Sequence, residues 1–403
     1  MTEKLYYTDP YMQTFFARVL DQRSYRGKTA LRLDQTAFYP ESGGQPSDVG
    51  SLGPFTVVDV QEDSGEILHL IEEDQPEETS EQLEGRIDWV RRFDHMQQHT
   101  GQHILSQAFF QVTQAPTESF HMGAASSTID LAIESLSRDQ LYAVEDRANQ
   151  IIFENRPIRV SFVDSESQSE IPLRKESTRT GTLRIVEIEG FDHSACGGTH
   201  CRQTGEVGLI KIRRWERVRQ QARVEFFCGR RALLDYRFKN REMYQLAKLF
   251  STAEGEVLSN IEKRLDTERQ QRKEIEKLRN ELLAGEAVRL ARDAESIGSV
   301  RLICQEVQGY DVKELNRLAS ILLGDDSSQI VILGSMAQRA FVLAARSRDL
   351  ESPDMNQLLK EFGPKLRGGG GGSPERAQLA GAPDADLPAA LAEIRSNLLY
   401  RLK

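Results

Sequence analysis

The sequence predicts an α+β protein made of four successive parts, and three observations support this fold class. Short apolar runs broken by Gly, Pro, Asp and Ser fill the first part, as expected for β-hairpins. Helical and strand patterns are mixed in the second part. A proline-free, highly charged third part precedes a last part in which strands and helices alternate. A chain of 403 residues also exceeds what one core usually organises.

Residues 1–90 are predicted to form an N-terminal β-barrel. The apolar runs at 30–33, 55–60 and 66–70 have the length of strands, and turn-forming residues separate them. Short strands with frequent turns are typical of hairpins, which form a small barrel or a small sheet domain.

Residues 91–240 are predicted to form an α+β domain. Residues 100–110 are rich in helix formers, and residues 137–155 carry apolar side chains at helical spacing. These helices are expected to pack with two strands, at 157–163 and 183–188.

Residues 250–298 are predicted to form a helical spacer, because 254–294 lack proline and are rich in Glu, Arg, Lys and Gln. A long exposed helix and a helical hairpin are both compatible with this pattern. Glu268 and Arg272 interrupt the heptad, which makes a long parallel coiled coil less secure than an antiparallel pair within the chain. A homodimer through this spacer or through the last domain stays an alternative.

Residues 299–403 are predicted to form a C-terminal α/β domain. Strand patterns at 300–306, 328–334 and 339–345 alternate with helical patterns at 312–323 and 355–362. This alternation is typical of a sheet that is covered by helices.

The composition excludes several classes of function. A formal net charge of −10 argues against a protein that coats nucleic acid by charge alone. The apolar runs are far shorter than the roughly 20 residues that a membrane span needs, so no membrane partner is expected. Four cysteines are too few for a disulfide framework in a chain of this size, which favours the reducing cytosol and a cytoplasmic location.

Local basic patches must therefore carry any contact with RNA. The strongest patch runs from Lys211 to Arg231 and contains Arg213, Arg214, Arg217, Arg219, Arg223 and Arg230. An RNA-binding surface and an ordinary solvated strand-turn-strand surface both fit this pattern.

The most informative residues form two spaced pairs. His99 and His103, in His-Thr-Gly-Gln-His, project onto one face if this stretch is a helix. Cys196 and His200, in Cys-Gly-Gly-Thr-His, form the second pair. One thiolate and three imidazoles suit tetrahedral zinc better than magnesium or calcium, which prefer oxygen ligands. We therefore predict that these four residues bind Zn²⁺.

Other readings of these residues remain open. Two histidines four residues apart on a helix are often only a hydrogen-bonded pair. Four protein ligands are also typical of a closed structural site, whereas catalytic zinc keeps a position free. Three firmly bound ligands and one loosely bound ligand would make a set of four protein ligands compatible with a catalytic role. We interpret Cys201 as a bystander, and His95 either as an orienting neighbour of a ligand or as a surface residue.

Three separated motifs carry a family resemblance. Residues 36–50 read Thr-Ala-Phe-Tyr-Pro-Glu-Ser-Gly-Gly-Gln-Pro-Ser-Asp-Val-Gly, and the two paired motifs follow in order. Together they closely resemble the AlaX family of alanyl-tRNA editing proteins and the editing domain of alanyl-tRNA synthetase. The barrel pattern begins almost at Met1, so the resemblance implies a free-standing editing protein. The segment at 367–382, which contains the glycine run at 368–372, resembles the glycine-rich end of the DHH-associated domain that closes the synthetase, which implies the long form of the family.

The resemblance implies that the second part is a zinc-containing editing domain and that tRNA for alanine is the partner. The implied reaction is the hydrolysis of the ester that joins serine, or alternatively glycine, to the terminal ribose of that tRNA. Gln45, Gln102 and His121 are the candidate catalytic residues that bond the substrate, and Gly43, Gly44 and Thr36 are the candidate substrate-binding residues. Gln102 stands where synthetase editing domains usually have threonine, and His121 replaces a common glutamine. Whether zinc activates water or only positions the ester stays open.

Two other functions compete with this hypothesis. A noncatalytic tRNA-binding module would use zinc only to stabilise its fold. A metal-dependent peptidase or amidohydrolase is disfavoured because Thr100, Gly101 and Gln102, between the paired histidines, include no glutamate to act as a general base.

Overall fold

A computed structural model describes residues 2–72, 82–175, 180–324 and 327–402, with the side chain of Glu170 left out. The described chain is a mixed α/β protein with eight α-helices and five sheets. It divides into two compact units, Met1–Leu249 and Phe250–Lys403. No helix in the described ranges combines the length and the apolar character that crossing a membrane requires.

The first unit contains sixteen strands and four helices. The strands are β1 Glu3–Lys4, β2 Thr14–Ala17, β3 Val19–Tyr25, β4 Lys28–Leu33, β5 Gln35–Thr36, β6 Gly50–Leu52, β7 Phe55–Asp63, β8 Glu66–Ile71, β9 Leu83–Ile87, β10 Thr117–Met122, β11 Ser127–Leu131, β12 Ile158–Asp164, β13 Thr182–Ile188, β14 Asp192–Ala195, β15 Ile210–Val218 and β16 Gln221–Cys228. The helices are α1 Leu5–Thr8, α2 Trp89–Thr113, α3 Arg138–Phe153 and α4 Gly229–Phe250.

Seven antiparallel strands form the N-terminal sheet, in the order β2-β9-β6-β7-β8-β4-β3. The predicted closed barrel is not confirmed, because no pairing among the described residues joins the two edge strands, β2 and β3. Only Arg18 separates these strands in the chain. The two ends of the strand order are therefore close together, and the sheet is strongly curved without closing. Its core includes Leu31, Phe38, Leu52 and Ile67, all fully buried.

Two further sheets of the first unit pack with helices. One has the order β10-β11-β16-β15, and the other has the order β12-β13-β14. The predicted strands at 157–163 and 183–188 are confirmed as β12 and β13. The buried faces of α2 and α3 share one core, which includes Leu105, Phe109 and Val144.

Local signals explain where the two long helices of this unit begin and end. The Asp88 carboxylate accepts a hydrogen bond from the backbone N–H of Arg91, which caps the first turn of α2. The same helix ends at Gln114, whose φ of 58° lies in the left-handed region. Ser137 and Gln140 form a reciprocal capping box at the start of α3.

The second unit contains six strands and four helices. The strands are β17 Glu295–Ile297, β18 Val300–Glu306, β19 Gln329–Met336, β20 Ala340–Arg346, β21 Gly369–Gly372 and β22 Arg376–Ala380. The helices are α5 Val257–Arg292, α6 Val312–Leu323, α7 Met355–Phe362 and α8 Leu387–Arg401. The sheet order is β17-β18-β19-β20-β22-β21, with β18 and β19 parallel. Buried clusters cover both faces of this sheet.

One feature of the second unit decides between sequence alternatives. The charged spacer is a single helix, α5, of 36 residues rather than a hairpin. Four residues of the glycine run, Gly369–Gly372, form the edge strand β21, which pairs antiparallel with β22.

A buried ion pair joins α2 to the segment between β5 and β6. The side chains of Arg92 and Asp48 are 0% and 1% exposed. Nε of Arg92 donates to both carboxylate oxygens at 3.0 and 2.9 Å, and its other nitrogens donate to the carbonyls of Pro10 and Ala37. Each nitrogen of the Arg92 guanidinium group therefore has a hydrogen-bond partner, and α2 is held against the N-terminal sheet.

Removing one member of this pair should destabilise the first unit strongly. We expect Asp48→Ala to lower the free energy of unfolding by about 3–5 kcal/mol, because Arg92 would stay buried without its carboxylate. Urea unfolding followed by tryptophan fluorescence reports on this unit, because both tryptophans, Trp89 and Trp215, lie in it.

Glu84→Ala is the matched control. Glu84 pairs with Arg86, whose side chain is 64% exposed, so its loss should change the free energy of unfolding by less than about 1 kcal/mol. Equal unfolding midpoints for the two variants would contradict the role given to the buried pair.

Candidate metal centre and cavity

Helix α2 supplies the first two residues of the candidate site. His99 and His103 are four residues apart on this helix, so their side chains project from the same face. Both are buried, at 3% and 4% exposure. The helix geometry predicted from the sequence is therefore present.

The loop after β14 supplies the other two residues. The side chains of Cys196 and His200 meet those of His99 and His103, and the four candidate ligand atoms lie within 4.8 Å of one another. Sγ of Cys196 is 3.3 Å from Nε2 of His99 and 3.3 Å from Nε2 of His200. The two sequence pairs, almost a hundred residues apart, thus form one group that could hold a metal ion.

Each imidazole has a second polar neighbour on its Nδ1 side. These contacts leave the Nε2 atoms of His99 and His200 directed at the thiol, which is the arrangement that orients histidine ligands in metal sites. The neighbours are Oε1 of Gln45 at 2.7 Å from His99, Oδ2 of Asp192 at 3.4 Å from His103 and Oγ1 of Thr100 at 3.2 Å from His200. The Asp192 contact has the distance of an ion pair and lacks the geometry of a good hydrogen bond.

Electrostatics favour the metal-binding forms of Cys196 and His200. For His103, by contrast, burial is outweighed by Cys196 and Asp192, which raise its pKa. Burial alone would raise the pKa of the Cys196 thiol, but His99, His200 and His103 outweigh burial and hold that pKa well below its ordinary value. Burial lowers the pKa of His200 to about 3, although Cys196 opposes this shift. A thiolate and a neutral imidazole are the forms in which these side chains donate electron pairs to a metal.

Gln45 connects the helix to the loop. Its Oε1 accepts hydrogen bonds from Nδ1 of His99 and from the backbone N–H of Thr199, and its Nε2 donates to Oγ1 of Thr199 at 2.8 Å. The side chain is fully buried. Gln45 therefore touches a candidate ligand directly and fixes the ligand loop, while both ends of its amide are occupied.

A cavity of about 960 Å³ opens beside the four residues. His99, His103 and Cys196 lie in its wall, together with Gln102 and Gly43. The cavity is large enough for an aminoacylated nucleotide, because small-molecule sites commonly occupy roughly 300–1,000 Å³.

The sequence motif with paired glycines forms a tight turn next to this cavity. The φ angles of Gly43 and Gly44 are 57° and 81°, and the backbones of Ser42 and Gln45 pair across the turn. Positive φ at both central positions is typical of a two-residue hairpin turn. A Cβ at Gly44 would lie 2.6 Å from the carbonyl oxygen of Phe120, so glycine also permits close packing there.

Five predicted site residues are absent from the cavity wall: Gly44 lies in the adjacent turn, Gln45 and His200 contact candidate ligands, and Thr36 and His121 lie elsewhere. His121 is exposed on β10, whereas the four preceding residues of that strand, 117–120, lie in the cavity wall. Thr36 is fully buried in the N-terminal unit, where its Oγ1 is 2.8 Å from Nε2 of His69. The places of Thr36 and His121 in the fold do not support the roles predicted for them.

Several residues around the site were not singled out from the sequence. Thr100 and Thr199 lie inside the two paired motifs, and this position in the sequence could have identified them. Asp192 and Arg184 had no such signal, because their contacts depend on the pairing of β13 with β14. Nη1 of Arg184 donates to the carbonyl oxygens of Cys196 and Gly198 at 2.8 and 2.9 Å, which fixes the ligand loop.

Two neighbours of the ligands stay outside the group of four. Cys201 is buried, and its backbone N–H donates to Oγ1 of Thr100. His95 is buried one turn before His99, and burial lowers its pKa to about 3, with Arg91 and Arg231 adding to the shift.

The basic stretch predicted as the strongest patch forms the hairpin of β15 and β16 and the start of α4. Most of its cations face carboxylates. The pairs are Lys211 with Glu145, Arg213 and Arg214 with Glu225, Arg217 with Glu134, Arg223 with Asp130 and Arg231 with Asp94. This pattern favours the ordinary solvated surface over an open cationic face.

Two family descriptions match the chain. The "Threonyl and Alanyl tRNA synthetase second additional domain" matches residues 183–223, which include Cys196 and His200. The "DHHA1 domain" matches residues 299–398 of the second unit. A solved structure of the C-Ala domain of alanyl-tRNA synthetase from Aquifex aeolicus is 23% identical and covers 26% of this chain and 97% of that one, with a TM-score of 0.25.

Several curated proteins are similar along most of the chain. The alanine–tRNA ligases of Natronomonas pharaonis and Methanobrevibacter smithii are 34% and 29% identical over 96% and 94% of this chain. The chain spans less than half of these ligases, 42% and 44% of their lengths. The alanyl-tRNA editing protein AlaX-L of Pyrococcus horikoshii is 31% identical over 99% of this chain and 100% of its own length. The chain therefore belongs to the AlaX family of alanyl-tRNA editing proteins and is similar to the long form of that family.

Proposed function

We propose that this protein removes serine from mischarged tRNA for alanine by hydrolysing the aminoacyl ester, with glycine as the second candidate amino acid. The observation that carries the proposal is the convergence of His99, His103, Cys196 and His200 beside a cavity of about 960 Å³. End-to-end similarity to an alanyl-tRNA editing protein supports the choice of substrate. A homodimer and a cytoplasmic location remain predictions.

The donor set fits zinc. From metal–ligand distances of about 2.3 Å for sulfur and 2.0 Å for nitrogen, a tetrahedral site has an S–N edge of about 3.5 Å. The two S–N distances of 3.3 Å are close to that value. When bound, zinc supplies a fixed positive charge and a Lewis acid beside the ester.

Gln45 acts as a positioning residue in this proposal. Because it bonds both His99 and Thr199, it sets the distance between α2 and the loop that carries Cys196 and His200. Arg184 holds the same loop from the side of the sheet. The sequence suggested that Gln45 bonds the substrate directly. We instead assign Gln45 the role of positioning His99 and the ligand loop.

Gln102 is the residue that we assign to the choice of amino acid. Its Nε2 donates to Oγ of Ser106, which also accepts from Oγ1 of Thr117. Among the hydrogen bonds of the described residues none uses Oε1 of Gln102, so this oxygen can accept from a serine hydroxyl. Alanine would leave the oxygen unpaired, and sites built to bond a substrate hydroxyl reject analogues that lack it.

Glycine at position 198 is required by the packing of the first ligand. A Cβ there would lie 2.2 Å from Cε1 and 2.4 Å from Nδ1 of His99. The nearest neighbours of a Cβ at Gly197 would belong to Tyr7, with Oη at 3.3 Å and two ring carbons at 3.9 Å. A side chain at position 198 would therefore clash with His99, whereas a Cβ at position 197 would need only a small shift of Tyr7.

Metal removal tests the reaction, the substrate and the cofactor together. The purified protein should clear Ser-tRNA of the alanine acceptor and spare Ala-tRNA, and the rate on Gly-tRNA decides whether glycine is a second substrate. Chelation, and separately Cys196→Ala, should slow serine release at least about 100-fold, because the charge beside the ester is lost. Release of the labelled amino acid is the measurement.

Cys304→Ala is the matched control, because Cys304 lies in the second unit, and it should keep the wild-type rate. Wild-type clearance by the chelated protein and by Cys196→Ala would refute a zinc-dependent site. Tight tRNA binding with every ester left intact at saturating zinc would favour the noncatalytic tRNA-binding module.

The two glycine positions should separate in zinc affinity. We expect Gly198→Ala to weaken zinc binding roughly 10- to 100-fold, because the new methyl group displaces His99 from the geometry that Gln45 sets. Competition with a chromophoric chelator measures this affinity. Gly197→Ala is the control and should bind zinc like the wild type; equal weakening of both variants would argue against the packing explanation.

Selectivity should depend on Gln102. Gln102→Leu is expected to reduce the preference for Ser-tRNA over Ala-tRNA roughly 10- to 100-fold, as the loss of one buried hydrogen bond to the substrate predicts. The comparison requires kcat/KM for both substrates. Gln107→Leu, on the same helix and outside the cavity wall, should leave the ratio unchanged; an unchanged ratio in Gln102→Leu would remove this residue from substrate choice.

A further inference from the structure

One row of side chains crosses the three-stranded sheet from its edge to the candidate metal centre. Phe162 on the edge strand β12 pairs in register with Arg184 on β13. The N–H of Cys196, just past β14, donates to the carbonyl oxygen of Arg184 at 3.0 Å, so Cys196 continues the row. Residues directly opposite each other in an antiparallel sheet lie on the same face. All three residues lie in the wall of the cavity.

Phe162 is the apolar end of this row. Its side chain is 51% exposed, and it belongs to the cavity wall, where its ring is open to a ligand. Phe153, at the end of α3, is 77% exposed but lies outside the cavity wall. A ring that is exposed on the wall of a cavity offers a flat surface on which a nucleobase can stack.

Cations lie along the same wall. Lys4, Arg174, Lys175 and Arg184 line the cavity. Lys4 pairs with Glu62 and Arg174 pairs with Asp192, so Lys175 and Arg184 are the lining cations that have no ion pair with a carboxylate among the described residues. These two charges contrast with the net charge of −10 for the chain. An aromatic ring among cations is the combination that binds single-stranded nucleic acid, because the cations attract phosphates while the ring stacks on a base.

Arg184 contributes to this charge from the middle of the row. Its side chain is only 7% exposed, and Nε and Nη2 have no hydrogen-bond partner among the residues that the structure describes. A buried cation that faces carbonyl oxygens and no carboxylate is favourable beside an anionic ligand. The charge therefore lies between the aromatic surface and the metal centre.

The length of the row suits one nucleotide. Adjacent strands lie about 4.8 Å apart, so Phe162 is about 10 Å from Cys196 across two strand spacings. This separation is comparable with the reach from an ester on the terminal ribose to the base of the same nucleotide. A base on Phe162 would thus place its ribose next to the candidate metal ligands.

We propose that Phe162 is a stacking surface for the unpaired terminal base of the RNA acceptor end, with the row Phe162–Arg184–Cys196 holding base, sugar and ester in that order. The proposal rests on the proposed function in taking an aminoacylated RNA end as the ligand of the cavity. It adds a binding residue for the nucleotide, distinct from the residues that contact the amino acid.

Binding of a modified RNA end tests this inference without requiring turnover. The probe is an alanine-acceptor minihelix that ends in 2-aminopurine and carries serine through an amide bond, which the protein cannot hydrolyse as an ester. Stacking on Phe162 should quench the fluorescence of the base. Phe162→Ala should weaken binding roughly 5- to 100-fold and abolish the quench, while Phe162→Tyr should restore both.

Phe153→Ala is the matched control, and it should bind and quench like the wild type. Wild-type affinity and quenching in Phe162→Ala would overturn the inference, and so would failure of the wild-type protein to bind the minihelix. Ser-tRNA hydrolysis at wild-type rates by Phe162→Ala would leave the proposed function intact while removing this residue. If the quench depends on Phe162 but the protein hydrolyses no aminoacyl-tRNA, the stacking role of Phe162 would stand and the proposed hydrolysis would be wrong.

Discussion

The buried ion pair between Arg92 and Asp48 determines where α2 lies, and the rest of the site depends on that position. Arg92 is two turns before His99 on the same helix, and Asp48 is three residues after Gln45 in the same segment. One short segment thus holds the helix twice, by an ion pair near its start and by a hydrogen bond at the first candidate ligand. Because α2 is a rigid element, fixing these two points also fixes His103.

The ligand loop is held by equally specific contacts. Gln45 bonds Thr199, Thr100 lies next to His200, and Arg184 bonds the carbonyl oxygens on both sides of Gly197. These contacts form a shell that is mostly buried and polar. Buried polar groups are costly when unpaired, so the hydrogen bonds of Gln45 and Thr199 favour one arrangement of the loop over its alternatives.

The sequence was most informative where function depends on local spacing. The four candidate ligands lie in compact motifs, and the helices at 312–323 and 355–362 carry a clear apolar period, so the structure confirms these two helices at the predicted bounds. Contacts that depend on the register between strands could not be predicted from local motifs or apolar periods. The cavity wall along β10 ends at Phe120 and leaves His121 outside it, and pairing of β13 with β14 brings Asp192 and Arg184 to the site. Closure of the N-terminal sheet likewise depends on pairing between strands, which hairpin patterns do not specify.

The edge strand β21 has an uneven tolerance to mutation along its uniform sequence. An added Cβ at Gly368, Gly370 or Gly372 would come within 2.0, 1.9 or 2.2 Å of a backbone oxygen on the neighbouring chain segment, whereas Gly369 and Gly371 have open space. Substitutions at positions 368, 370 and 372 should therefore be selected against, whereas substitutions at 369 and 371 should be tolerated. The constraint on these five glycines alternates with the two-residue repeat of the strand.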